Sequence, residues 1–104
     1  MNNELLITID KGTTVRSSKI LMLKADINYT HILLEDGSTI LSSRTLGIFE
    51  KRLYSYSFFR PNRSVIINLD YMTSFQKESF TIKMENDELI NISRRRAKQF
   101  LKRI

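Results

Sequence analysis

Cysteine and tryptophan are absent from this chain, histidine and proline each occur once, and glycine occurs three times. Without cysteine there is no disulfide, no thiolate metal centre and no thiol–histidine catalysis. His31 alone cannot supply a histidine-rich zinc site. There is no glycine-rich phosphate loop and no Gly-x-Ser-x-Gly nucleophile elbow. Glu35 and Asp36 are adjacent acids, but beside Gly37 and Ser38 they read as turn residues rather than an acid/base pair. No apolar run approaches the ~20 residues of a membrane-spanning helix. Met1-Asn2-Asn3-Glu4 lacks the basic and apolar regions of a signal peptide, so the cytoplasm is the expected compartment. These absences point away from an enzyme, and toward a protein with no cofactor, no metal, no small-molecule substrate and no membrane role.

What the chain does have is positive charge, unevenly placed. Its 104 residues are 41% hydrophobic and 27% charged, ordinary values for one small folded domain, and the formal net charge is +6. Residues 1–43 hold four bases (Lys11, Arg16, Lys19, Lys24) against five acids (Glu4, Asp10, Asp26, Glu35, Asp36), a net of −1. Residues 44–104 hold the other thirteen bases against six acids, a net of +7, and from Ser93 onward there are six bases and no acid. Such asymmetry points to a polyanionic partner, a nucleic acid or an anionic surface.

The pattern along the chain is mostly β. Leu5–Ile9 and Thr13–Ser17 read as strands around an Asp10-Lys11-Gly12 turn. Ile20–Ala25 is apolar and buried, and too short for its pattern to separate strand from helix. Asp26-Ile27-Asn28 reads as a loop, and Tyr29–Leu34 and Thr39–Ser42 as a hairpin whose Asp36-Gly37 turn supplies positive φ angles. Arg44–Leu53 changes period, with Leu46, Phe49 and Leu53 on one helical face, although Gly47 weakens it. Tyr54–Ser57 reads as a loop and Ser64–Leu69 as a buried strand. Met72–Lys77, Phe80–Met84 and Leu89–Ile92 read as further strands, the last two around an Asn86-Asp87 turn. Ala97, Phe100, Leu101 and Ile104 form the apolar face of a terminal helix.

Three segments carry candidate chemistry. Ser93-Arg94-Arg95-Arg96 opens the last helix with Ser93 as N-cap. Arginines there oppose the helix dipole, and Arg96 stands where a capping box would place Glu or Gln. A bound phosphate would offset that cost, Lys98 adding to the cluster. The plain alternative is a solvated face, or Arg96 paired with Glu85 or Asp87. Phe58–Ser64 leads into the Val65-Ile66-Ile67 run. Pro61 holds Arg60 extended and presents Asn62 and Arg63 at a loop tip, where Arg suits guanine, Asn suits adenine and Ser64 suits a phosphate. Asn28, Tyr29 and Thr30 follow a polar loop and are plausible contacts to phosphate or base, though Asn and Asp mark most loops.

These segments, in this order, resemble the LytTR family of bacterial DNA-binding domains. The resemblance runs through Ile20–Ala25 with Asn28-Tyr29-Thr30, Leu33–Gly37, Leu46–Leu53, Phe59–Leu69 and Ile92–Arg95. It covers residues 19–104, with residues 1–18 a strand pair before it, so residues 1–104 are expected to form a single domain. It implies an elongated, mainly β fold of small antiparallel sheets with a short internal helix and a C-terminal helix. It also implies double-stranded DNA read by loops in the major groove at paired direct repeats, a second copy occupying the adjacent repeat. The site residues it implies are Asn28, Tyr29 and Thr30 in the first loop, Asn62, Arg63 and Ser64 in the middle loop, and Arg94 ahead of the last helix, with Arg95, Arg96 and Lys98 on phosphates. The chain departs from the family pattern at Pro61 and Asn62. Family members usually follow a receiver domain, so the chain is expected to be a stand-alone regulator or the DNA-binding part of a longer response regulator. The rival reading is a basic protein-interaction or anionic-surface module using the same face.

Overall fold

The computed structural model describes residues 6–54 and 57–104. Ten strands, β1 (Leu6–Asp10), β2 (Thr13–Arg16), β3 (Ile20–Asp26), β4 (Tyr29–Leu34), β5 (Thr39–Ser42), β6 (Phe58–Asn62), β7 (Val65–Asn68), β8 (Met72–Gln76), β9 (Thr81–Met84) and β10 (Leu89–Asn91), form three sheets, and two helices, α1 (Leu46–Arg52) and α2 (Arg94–Arg103), accompany them. The central sheet has the order β5-β4-β3-β7-β6, with β1-β2 and β10-β9-β8 as separate sheets, and every pairing is antiparallel. The molecule measures 43 × 36 × 23 Å. The mainly β architecture of small antiparallel sheets, with one internal and one terminal helix, is as the sequence led us to expect.

The middle strands of the central sheet, β3 and β7, are buried on both faces. Ile20, Leu23, Phe58 and Ile66 pack with Phe49 of α1, with Leu53 just after it, and with Ile7 and Ile9 of β1. Met22, Phe59, Val65 and Ile67 pack on the opposite side with Ile82, Met84, Ile90 and Phe100. A strand covered on both faces needs no polar alternation, which is why Ile20–Ala25 has no readable period and why it is a strand. Burying each such side chain stabilises the fold by about 1.5–3 kcal/mol. The Phe100 ring lies 4.8 Å from that of Phe75 and 5.5 Å from that of Phe59, fixing α2 against both the three-stranded sheet and β6.

The structure corrects four readings. Residues 58–62, expected to be loop, form β6. Pro61 is tolerated because β6 is an edge strand and its register shifts between Phe59 and Asn62, where no ladder N–H is needed. The expected loop tip shrinks to Arg63-Ser64. The expected loop at Asp26-Ile27-Asn28 is a two-residue hairpin turn, since Asp26 pairs with Tyr29. In the β4–β5 turn only Gly37 has positive φ (90°), while Asp36 accepts the Ser38 N–H at 2.8 Å and so closes an Asx turn. Ser55 and Tyr56, within the expected Tyr54–Ser57 loop, and Leu5 of the first strand lie outside the described residues. No helix of the described residues is long and apolar enough to cross a membrane.

Candidate nucleic-acid interface

Strand pairing brings the three sequence-derived segments to one end of the central sheet. Lys24 of β3 faces Val65 of β7, so the end of β3 meets the start of β7. The Ala25 N–H then donates to the Ser64 carbonyl at 2.8 Å, which seats the 27–28 turn beside the 63–64 turn. On the other side of that turn, the Ser93 N–H donates to the Pro61 carbonyl at 2.9 Å and joins the start of α2 to β6. Asn62 Nδ2 donates to the Asn91 carbonyl at 2.7 Å, tying β10 to the same place. Lys24 pairs with Glu88, so the β9–β10 turn is held there too.

Within this cluster the expected site residues divide. Asn28, Tyr29, Arg63, Ser64, Arg94, Arg95 and Lys98 are exposed. Among the described residues, no hydrogen bond or ion pair holds the guanidinium groups of Arg63, Arg94 and Arg95 or the Lys98 ammonium. Thr30, Asn62 and Arg96 are turned into the protein. Thr30 is fully buried, and its hydroxyl donates to the Arg44 carbonyl at 2.7 Å. Asn62 uses both ends of its amide: Nδ2 on Asn91, and Oδ1 to accept the Ser64 N–H at 2.8 Å. Arg96 donates from Nη1 to the Arg60 carbonyl at 3.0 Å and lies 3.5 Å from a Glu50 carboxylate oxygen. The partner weighed for Arg96 in the sequence, Glu85 or Asp87, is therefore replaced by Glu50 of α1.

Arg60 does related work that its sequence position does not show. Its guanidinium donates to Glu50 at 2.8 Å and to the Arg63 carbonyl at 2.8 Å, so it braces the turn that displays Arg63. Glu50 thus receives two arginines from different elements, and α1 supports the end of the sheet without reaching it. Only the structure reveals this, because Glu50 and Arg60 belong to patterns that read as helix surface and loop.

Ser93 stands at the N-cap of α2 with extended backbone, but its side chain makes no capping bond. No acid lies in the first turn, so Arg94 and Arg95 face the positive end of the helix dipole without local compensation. At the neighbouring hairpin, Ile27 has φ of 55°. A left-handed backbone at a β-branched residue costs about 1–2 kcal/mol, and hairpins normally place glycine at such a position. Asp26, the acid closest in sequence to this turn, is engaged by His31 Nε2 at 3.0 Å. Among the described residues, no group of three or more His, Asp or Glu could hold a metal ion.

A family model, the LytTr DNA-binding domain, matches residues 10–104. The chain belongs to the LytTr DNA-binding domain family. Among solved structures it is similar to the LytTr DNA-binding domain of a response regulator from Bacillus cereus, with 27% identity and a TM-score of 0.76 over 99% of this chain and 97% of that one. No curated protein shows significant sequence similarity to it. The exposed bases above are therefore the bases of a LytTr DNA-binding domain.

Proposed function

We propose that this LytTr domain binds double-stranded DNA sequence-selectively as the output unit of a cytoplasmic transcription regulator, residues 1–104 acting as one module. The observation that carries this reading is the convergence of the two hairpin turns and the start of α2 at one sheet end, with four exposed cations that have no hydrogen-bond or ion-pair partner among the described residues. Arg63 and Asn28 or Tyr29 read base edges from adjacent turns that enter the major groove. Arg94, Arg95, Lys98 and Ser64 hold phosphates, using also the N–H groups at the start of α2. Thr30, Asn62 and Arg96 act one step back, setting the shape of the turns and the seat of the helix.

A single module of this kind buries roughly 600–1,000 Å². Tight occupancy then calls for two copies on paired direct repeats, and the free protein, which has no heptad pattern for a zipper, is monomeric. Selection from a random duplex pool, followed by titration of the recovered duplex at several salt concentrations, tests the reading. A recovered consensus is expected, with log K falling linearly in log salt. No consensus at low salt, or equal binding to heparin or anionic vesicles and duplex, would instead favour a general anionic-surface module.

A further inference from the structure

We infer that Ile27 reads thymine, by placing its side chain against the C5-methyl group in the major groove. The inference rests on the proposed DNA-reading role of this end of the sheet and adds a residue and a base to it. Asp26 pairs with Tyr29, so Ile27 and Asn28 are the two central residues of a hairpin turn and lie at its extreme tip. Ile27 is 91% exposed, the most exposed of the large hydrophobic residues among those described. It also has φ of 55°. The first central position of such a turn is normally glycine, asparagine or aspartate, because a branched side chain is strained there. Asparagine is in fact next door, at position 28, where φ is not positive.

An isoleucine at this position therefore helps neither core nor turn. Its burial in the free protein is negligible and its backbone is unfavourable, so any gain from it comes from a partner. The bond from the Ala25 N–H to the Ser64 carbonyl sets the tip beside Arg63. Whatever Arg63 approaches, Ile27 approaches as well. A major groove presents one apolar feature to such a tip, the thymine methyl group. Asn28 and Tyr29 beside it supply polar groups for the neighbouring edges. A side chain free of polar atoms contributes selectivity there because cytosine has only hydrogen at C5, where thymine carries its methyl group.

The test uses the full chain and duplexes selected by it from a random pool. Each thymine of the selected site is replaced in turn by deoxyuridine, which removes only the methyl group. One or two replacements are expected to weaken binding roughly fourfold, the value of one buried methyl-sized group. With Ile27→Gly and Ile27→Asn, both tolerant of a left-handed backbone, the same replacements should change affinity by less than about 1.5-fold, since the methyl has lost its contact. The Ile27→Gly protein should melt at the same temperature as the parent or higher. Selective binding with no deoxyuridine effect, or an effect that persists in both variants, overturns the thymine contact and leaves the DNA reading standing. Failure to recover any selective duplex overturns both. A lower melting temperature for both variants with weaker binding to every duplex alike would show Ile27 to be a structural residue.

Discussion

The Ser93 backbone N–H donates to the Pro61 carbonyl at 2.9 Å. In a capping box that N–H would be taken by a Glu side chain at position 96. Here the edge strand β6 takes it, made available by the register shift around Pro61. The helix start is thereby fixed against the turn that displays Arg63, and Arg96 is released to reach back to Arg60 and Glu50.

That relationship decides what Arg96→Glu does. The substitution gains no capping bond, because the Ser93 N–H is engaged. It loses the bond to the Arg60 carbonyl and sets a second carboxylate beside Glu50. We expect destabilisation of about 1–2 kcal/mol, in spite of the better match to the helix dipole. Urea unfolding measures it; a variant as stable as the parent, or more so, would show the Arg96 contacts to be unimportant.

Arg63 and Lys98 should separate base reading from phosphate attraction. Arg63→Ala is expected to lose ~1–3 kcal/mol of affinity for the selected duplex and to relax discrimination at one base pair. Lys98→Ala should weaken all duplexes alike and reduce the salt slope by about 1. Both side chains are exposed and have no hydrogen-bond or ion-pair partner among the described residues, so melting temperatures should stay unchanged. Competition assays with single-base variants of the site distinguish the two patterns, and the reverse assignment would refute these roles.

Thr30 should behave as a fold residue. Thr30→Val keeps the shape, removes the hydroxyl and leaves the Arg44 carbonyl without its donor. A loss of ~1–3 kcal/mol of stability is expected, with base discrimination intact. Altered base preference in a stably folded Thr30→Val protein would return Thr30 to the reading surface.

Tyr71 and Glu35 join the 69–71 segment to the β4–β5 turn at 2.7 Å, at the end of the central sheet opposite the 27–28 turn. Desolvation, then the bond to Glu35, pushes the Tyr71 phenol up to about 12. A raised phenol stabilises the folded state fully below its ordinary value near 10, and that contribution disappears as pH rises toward 12. Glu35 is shifted the other way, held down by the Tyr71 bond and then by Lys19. Its contribution is present above the ordinary carboxylate range and is lost as pH falls through the lowered value. Tyr71→Phe should flatten both the alkaline and the acid limbs of the stability–pH curve. Unchanged limbs in urea titrations from acid to pH 12 would show that the contact is not maintained in solution.

Much of this protein was legible in its residues. The turns at Gly12 and Gly37, both helices and the strands β8, β9 and β10 follow from periods, turn residues and the single-sided apolar face of α2, whereas the grouping of those three strands into a sheet of their own does not. The motif order pointed to the family, and the charge asymmetry to the partner. Composition carries such information because charge and periodicity are properties of the chain itself. The strand at Ile20–Ala25 escaped a pattern reading because both its faces are buried, and β6 escaped because Pro61 is tolerated only where an edge and a bulge coincide. Which polar residues of the three segments face outward was decided by tertiary structure alone. Thr30, Asn62 and Arg96 look as available as Asn28, Arg63 and Arg94 in the sequence. What turns them inward is the position of the Arg44, Asn91 and Arg60 carbonyls, between 14 and 36 residues away along the chain. Only the packed fold determines which side chain lies near enough to donate to each of these carbonyls.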